Sequence, residues 1–404
     1  MHSATRLLIK ARYAPHYRQI DQKKPASPEL QPPAPADNQA LPSTPATPEV
    51  RQAVTSALRC FLELRDTVAE TDIHAISQQL KLHLWMPTKD HGPDCVNQAV
   101  CRLPMHSSLR ERLVMRMEEV FLATRPHPDR IRVPPSAIVV PLGLHSLNPV
   151  RILALIELLE LLVNRFGEEA LKNTHIFFVG GRDLVPQEML PVREVMAQGF
   201  ALYCKADWQQ LTPEQQNALL DDFCHELQQG LGDSELRLTL PTEGQKLGEA
   251  DSARHIWEQA PRIQRWRTAL KGRTHFIEAS RSQYRRADRD STHGNALQVL
   301  AECFASRVLE QGKGRVMVCS DSFSGPRAAL IFEGYCRAFD IPVGFLSRPL
   351  TGHDLSKQRQ MMRCLLPLFV RELACLQHEI VQSNKADSGT AWYDVTPLQD
   401  KLPD

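Results

Sequence analysis

Five short apolar runs alternate with longer segments of helical periodicity from Val133 onward. The runs are "SAIVVPLG", "THIFFVGG", "THFIEA", "GRVMVCS" and "IPVGFL". Successive β-branched and aromatic residues of this kind are typical of strands that are buried on both faces of a parallel sheet. The pattern therefore predicts strands near 137–142, 175–179, 274–278, 315–319 and 342–346.

Helical patterns lie between these strands and after the last of them. They cover residues 149–166, about 186–203, 294–311, 325–339 and about 355–382. This alternation predicts an α/β fold, with a Rossmann-like, open, mainly parallel five-stranded sheet and helices on both faces. Pro367 falls inside the last helical pattern, which predicts that this helix is kinked or split in two.

Three segments stand outside that alternation. Residues 1–48 include eight prolines in 25–48 and are predicted to be a disordered tail and linker. Residues 49–132 are predicted to be a helical region, ahead of an α/β domain over 133–404. The interval of about 205–273 is too long for a strand-to-helix connection, so we predict a helical insertion or lid there. Its first helix should begin at a Thr212 N-cap, and its second should break at Pro261.

The composition narrows the class of protein. The chain has 404 residues, of which 42% are hydrophobic and 24% charged, and its net charge of +1 does not favour nucleic acid as a partner. No run approaches the roughly 18 to 20 apolar residues of a membrane helix, and the N-terminus lacks the pattern of a signal peptide. We therefore expect a cytoplasmic protein, with non-classical secretion left open. Its ten scattered cysteines indicate reduced core thiols.

Glycine, hydroxyl and charged residues occur where the predicted strands lead into helices. Since the carboxyl ends of parallel strands meet at one edge, these residues predict a ligand crevice there. Arginine can bind phosphate or carboxylate oxygens, and helix N-termini favour anions. The candidate ligand-binding residues are Gly143, Arg151, Gly180, Gly181, Glu194, Glu278, Thr292, Asn295, Ser320, Ser322, Ser324 and Arg327. Ordinary strand-to-helix loops remain an alternative for them.

Two familiar chemistries do not fit the loop "CSDSFSGPR". Seven residues separate Cys319 from Arg327, which is too many for a cysteine-phosphatase loop. The Lys-Ser/Thr pair of a P-loop is missing as well. Cys319 is therefore predicted to pack at the strand end. A metal site is not predicted either, because no second close Cys/His pair accompanies His91, Cys95 and Cys101.

The ordered set "AIVVPLG…R", "IFFVGG…REVM", "STHGNA" and "VMVCSDSFSGPRAALIF" resembles the YdcF-like family, or domain of unknown function 218. That family includes the SanA- and ElyC-like envelope proteins, and the resemblance covers about Ser136–Leu346. The candidates listed above, other than Glu278, Ser322 and Ser324, stand where the family has its site residues. Glu278 matches the family glutamate if extra loop residues are allowed. Two departures are Ser324, where the family has a histidine, and Arg289, where it has a serine.

The resemblance implies binding of an anionic, phosphorylated or nucleotide-like small molecule, in envelope or lipid-carrier metabolism. It makes S-adenosylmethionine a candidate ligand. Whether the protein is an enzyme stays open, because Ser324 removes the obvious proton-transfer group. The alternative is a non-catalytic module for ligand sensing or protein interaction, such as a scaffold or secreted effector. A protein partner would then bind the helical region or the insertion.

Overall fold

The structure of the protein is a computed structural model. It describes residues 48–62, 107–124, 131–143, 147–181, 190–194, 196–197, 208, 211–235, 237–238, 248–279, 292–352, 355–387 and 398. The predicted tail and the cluster of His91, Cys95 and Cys101 lie outside these residues. So does the basic loop that contains Arg281, Arg285, Arg286 and Arg289.

The predicted parallel sheet is confirmed. The strands in chain order are β1 (Ala137–Pro141), β2 (His175–Gly180), β3 (Leu190–Pro191), β4 (Arg237–Leu238), β5 (Thr274–Glu278), β6 (Val316–Asp321) and β7 (Val343–Arg348). Five of them form one sheet in the order β5-β2-β1-β6-β7, with every neighbouring pair parallel. After β1 the chain adds β2 and then β5 on one side of β1. It then returns, and β6 and β7 lie on the other side. Ligands bind at such a change of direction in open α/β sheets.

Helices cover both faces of this sheet. They are α1 (Pro48–Leu62), α2 (Ser107–Thr124), α3 (Asn148–Phe166), α4 (Pro213–Leu231), α5 (Glu249–Gln259), α6 (Gln264–Ala269), α7 (Thr292–Ala305), α8 (Gly325–Arg337) and α9 (Leu355–Asp387). Alternate strand residues point to opposite faces. Val139 therefore packs in a hydrophobic cluster with α7 and α8, whereas Val140 packs in a second cluster with α3 and α5.

The predicted helical insertion packs against the sheet. The hydroxyl of Thr212 accepts from the backbone N–H of Gln215, whose side chain accepts from Thr212 in return, so the predicted N-cap is confirmed. The break at Pro261 is also confirmed, by a short 3-10 turn between α5 and α6. Trp257 of α5 packs against Phe178 of β2, with 5.5 Å between the ring centroids. Helix α5 thus supplies part of the layer over β2 and β5. The short antiparallel pair of β3 and β4 was not predicted.

The N-terminal helices pack against the C-terminal one. Helices α1 and α2 lie against each other and against α9, and their apolar residues join the same hydrophobic cluster as α3. Two ion pairs link α9 to α2 at its surface, Arg359 with Glu118 at 2.7 Å and Arg363 with Glu111 at 2.9 Å. These helices therefore extend the layer on one face of the sheet.

Helix α9 runs through Pro367 as one helix, so of the two predicted alternatives the split is wrong and the kink stays a prediction. Proline removes one backbone hydrogen bond and crowds the preceding turn. On either side of it, however, Leu366 and Phe369 are buried in the core. Their packing holds both halves of the helix in place across the lost bond. None of the described helices is long and apolar enough to cross a membrane.

Candidate functional site at the carboxyl edge of the sheet

Several helices begin near the carboxyl edge of the sheet. Helix α3 begins at Asn148 after β1, and α8 begins at Gly325 after β6. Helix α5 begins at Glu249, whose backbone N–H donates to the carbonyl of Gly181 just after β2. The first N–H groups of a helix lack partners inside the helix and carry partial positive charge. The positive ends of these helix dipoles therefore lie beside β1, β2 and β6.

Arg151 crosses from α3 to the end of β6, where it forms a buried ion pair with Asp321. Its Nε donates to the Asp321 Oδ2 at 2.6 Å, and the two side chains are 2% and 0% exposed. Its other nitrogens donate to the carbonyl oxygen of Gly143, to the Asn148 Oδ1 at 3.3 Å and to the Ser324 Oγ at 3.1 Å. Through its described contacts, Arg151 thus joins the ends of β1 and β6. Asp321 compensates its positive charge within the protein.

Asp321 organises the loop after β6 and is not among the residues predicted from the sequence. Its Oδ1 accepts from the backbone N–H groups of Phe323 and Ser324, both at 2.8 Å, and its Oδ2 accepts from the Ser324 hydroxyl at 3.1 Å. Burial alone would raise the pKa of this carboxyl, but Arg151 and the loop N–H groups outweigh that effect and lower it. The signal that could have identified Asp321 was a carboxylate at the end of an apolar strand.

Arg327 lies where the first turn of α8 faces α9 and the start of α7. Its Nε donates to the Glu372 carboxylate, and its Nη1 donates to the Thr292 hydroxyl at 3.0 Å. Burial opposes the charge of Arg327, but Glu372 outweighs burial and raises its pKa. Next to this pair, the His293 ring lies 3.2 Å from the Tyr335 hydroxyl and 3.3 Å from the Glu379 carboxylate. The described contacts of Arg327 are likewise internal to the protein.

Glu249, at the start of α5, lies over the end of β2 and was also missed. Glu249 is only 6% exposed, and its Oε2 accepts from the backbone N–H of Gly181 at 2.9 Å. A Cβ on Gly180 would lie 2.5 Å from the Cβ of Glu249 and 3.0 Å from that of Leu142. Only glycine therefore permits this approach of α5 to the sheet. The insertion thus brings a carboxylate to the predicted crevice.

Replacing Gly180 with alanine should lower the free energy of unfolding by about 2 kcal/mol, because the new methyl group overlaps atoms that cannot rotate away. Denaturant unfolding of Gly180→Ala measures the loss. A second variant, Glu249→Gly, lacks the Cβ that the new methyl group would overlap. Adding Gly180→Ala to this variant should therefore lower the free energy of unfolding much less. Strictly additive losses would show that the contact between α5 and β2 is not as described.

Two other predicted residues, Glu278 and Glu194, lie in different parts of the structure. Glu278 ends β5, and its Oε1 would lie 2.1 Å from a Cβ on Gly248, next to Glu249. Glu194 is helical and exposed, and no contact among the described residues brings it to Arg151. Either of its proposed roles, binding an arginine or accepting from a ribose-type hydroxyl, stays a prediction.

Four buried polar side chains at this edge have an atom without a hydrogen-bond partner among the described residues. These atoms are the Ser320 Oγ, the Ser322 Oγ, the Asn295 Oδ1 and the Asn148 Nδ2. Their residues are between 0% and 5% exposed. Buried polar groups in folded proteins are nearly always hydrogen-bonded, so such a group needs an explanation. Three of the four were predicted from the sequence, and Asn148 was not.

Cys319 is fully buried in β6, and burial raises the pKa of its thiol well above the usual value. Such a thiol is not readily deprotonated, so it is a poor nucleophile. Among the residues whose side chains the structure describes, six cysteines are free of disulfide bonds: Cys60, Cys224, Cys303, Cys319, Cys336 and Cys375. In the described part of the chain, no three His, Cys, Asp or Glu side chains come together as metal ligands.

Comparisons with protein-family models, with curated proteins and with solved structures give no match for this chain. The class that the fold defines is an open, parallel α/β protein with a Rossmann-like sheet. The resemblance of its strand-end motifs to the YdcF-like family stays a prediction.

Proposed function

We propose that the protein is a YdcF-like α/β domain that binds a small anionic ligand, phosphorylated or nucleotide-like, at the carboxyl ends of β1 and β6. The observation that supports this most is a set of buried atoms at that edge with no hydrogen-bond partner among the described residues. They belong to Ser320 and Ser322 on β6 and its loop and to Asn295 of α7. A bound ligand would give these groups the hydrogen bonds that they lack.

The ligand's anion would be held by neutral donors. Arg151 and Arg327 are each paired with a carboxylate, so their charges are largely compensated. The hydroxyls of Ser320 and Ser322, near the positive end of α8, would then be donors for phosphate or carboxylate oxygens. Such a site recognises the shape and hydrogen-bonding pattern of an anion more than its total charge.

Ligand binding is better supported than catalysis. Ser324 stands where the resembled family has a histidine, and its hydroxyl donates to Asp321 and accepts from Arg151. A hydroxyl held in this way between the two members of an ion pair is not a proton-transfer group for a ligand. We therefore favour ligand sensing at this site. S-adenosylmethionine belongs among the compounds to test, together with nucleotides and sugar phosphates.

Ser320→Ala tests the proposal through two effects of opposite sign. Removing a buried hydroxyl that has no partner among the described residues should raise the stability of the free protein by about 1 kcal/mol. The same change should reduce the thermal stabilisation by a bound ligand, which otherwise amounts to about 2.7 kcal/mol at a hundredfold excess over Kd. Thermal unfolding with and without AMP, S-adenosylmethionine and glucose 6-phosphate measures both effects.

Cys319→Ala is the matched control, because Cys319 precedes Ser320 in the same strand and packs on the opposite face of the sheet. It should lower the stability of the protein and leave the response to a ligand unchanged. The proposal is wrong if none of the three compounds stabilises the wild-type protein, or if both variants reduce the response equally.

A further inference from the structure

Two histidines face each other across strands β2 and β5. The His175 Nδ1 lies 3.0 Å from the His275 Nε2, and the planes of the two rings differ by 13°. The ring centroids are 5.3 Å apart, which is farther than the two nitrogens, so each ring points one nitrogen at the other. This is the geometry of an N–H···N hydrogen bond, in which one ring donates and the other accepts.

The bond within this histidine pair depends on how many protons the two rings carry. A neutral imidazole has one N–H donor and one acceptor nitrogen, whereas an imidazolium has two donors and no acceptor. The pair therefore keeps its bond when both rings are neutral or when only one is charged. When both are charged, two N–H groups point at each other and two like charges lie side by side. Acid thus turns an attraction between β2 and β5 into a repulsion.

The surroundings of the histidine pair oppose its protonation. Burial lowers the pKa of both rings, and His275 and Arg273 lower the pKa of His175 further. Glu302 of α7 acts in the opposite direction on His275, but it is exposed and burial outweighs it. Among the described residues, the charged groups that act on the pair are thus one cation and one exposed anion. The described hydrogen bonds of Arg273 all go to backbone carbonyl oxygens, those of Leu171, Thr174 and Ala269.

Strand β5 depends on this contact more than the other strands of the sheet do. It lies at the edge, and β2 is its one neighbour among the described strands. His175 is the first residue of β2 and His275 the second of β5, so the pair lies where the ladder between the two strands begins. Helix α5 of the insertion packs on both strands. A repulsion at this point therefore acts on the edge strand and on the helix that covers it.

We propose that the histidine pair is an acid-sensitive contact, which holds edge strand β5 on β2 at neutral pH and releases it when both rings are protonated. It lies at the amino ends of the strands, so the inference does not rest on the ligand site proposed at their carboxyl ends. Because the pKa of each ring is lowered in the folded protein, the stability that the pair contributes is present above the unfolded pKa of about 6.5. It is lost as pH falls through the folded values.

Denaturant unfolding at pH 7 and pH 5 tests this contact. In His175→Asn the side-chain amide can still donate to His275 but takes up no proton. Between pH 7 and pH 5, the unfolding equilibrium constant of the wild-type protein should rise about tenfold more than that of the variant. Hydrogen exchange of residues 274–278, compared with residues 316–321 at each pH, locates the loss. In the wild-type protein, acid should reduce the protection of β5 more than that of β6, and in His175→Asn this difference should be smaller.

His225→Asn is the control, since it removes an exposed histidine from α4 and should keep the pH dependence of the wild-type protein. If His175→Asn does not fold, His275→Gln makes the same comparison from the other side of the pair. The inference is wrong if the wild-type protein and the variant of the pair show the same pH dependence. It is also wrong if acid reduces the protection of β5 and β6 equally in the wild-type protein, because the edge strand is then not released by itself.

Discussion

Replacing Arg151 with methionine should lower the free energy of unfolding by about 3 to 5 kcal/mol, which is the usual cost of removing one partner of a buried ion pair. Asp321 would then be a fully buried carboxylate that keeps its loop N–H bonds and the Ser324 hydroxyl bond but loses its counter-charge. Methionine fills a similar volume and cannot replace the bonds from Arg151 to Gly143 and Ser324. Denaturant unfolding at pH 7 measures the loss.

The loss should depend on pH in a defined direction. In the wild-type protein the pKa of Asp321 is lowered, so its contribution to stability is present above the unfolded pKa of about 3.9 and is lost as pH falls through the folded value. In Arg151→Met, burial without a counter-charge should raise that pKa instead. The deficit should therefore shrink as pH falls from 7 towards 4, because the buried carboxyl takes up a proton.

A second substitution provides the control. Asp321→Asn keeps an oxygen that accepts from the loop N–H groups and removes the charge. The double variant should therefore regain part of the stability that Arg151→Met loses, with a coupling of about 1 to 3 kcal/mol. If Arg151→Met instead unfolds like the wild-type protein and only loses ligand affinity, Arg151 faces the ligand and the described pair is not its main contact.

The five strands of the sheet and several helix starts followed from local sequence because each depends on residues that are close along the chain. The helix predicted over about 186–203 was wrong in its first part, where β3 lies. Successive apolar residues such as those around Val139 indicated a buried strand, and Thr212 followed by Pro213 marked the start of a helix. The parallel arrangement followed from the alternation of these elements. The predicted split at Pro367 does not occur because the packing of its neighbours in the core, which a local pattern does not contain, outweighs the lost backbone bond.

The partners of the site residues could not be predicted in the same way. Arg151 and Asp321 are 170 positions apart, and their pairing depends on β6 returning to the side of β1. Glu249 reaches the sheet from an insertion whose place in the fold the sequence did not indicate. Thus the sequence located the edge where candidate residues gather, whereas the internal charge pairs emerged only once the strands were arranged in space.

Replacing Arg327 with alanine should strongly lower the stability of the protein. The side chains of Arg327 and Glu372 are 17% and 10% exposed, and the nearby Glu379 also contributes to the charge that Arg327 compensates. Removing the guanidinium leaves these carboxylates partly uncompensated between α8 and α9. We expect a loss of about 3 kcal/mol in the free energy of unfolding, at the low end of the range for buried pairs because some solvent reaches this one.

Comparison with Glu372→Gln distinguishes this structural role from ligand binding. If Arg327 mainly stabilises the packing of α8 on α9, adding Glu372→Gln to Arg327→Ala should restore part of the lost stability, since the uncompensated carboxylate is removed. Thr292→Ala, which removes only the hydroxyl that accepts from Arg327, should cost about 1 kcal/mol. A different result would assign Arg327 to the ligand: unchanged unfolding of Arg327→Ala, together with a ten- to hundredfold weaker response to AMP. In that case its guanidinium would turn from Glu372 to the anion, and the neutral-donor site proposed at β6 would gain a charge.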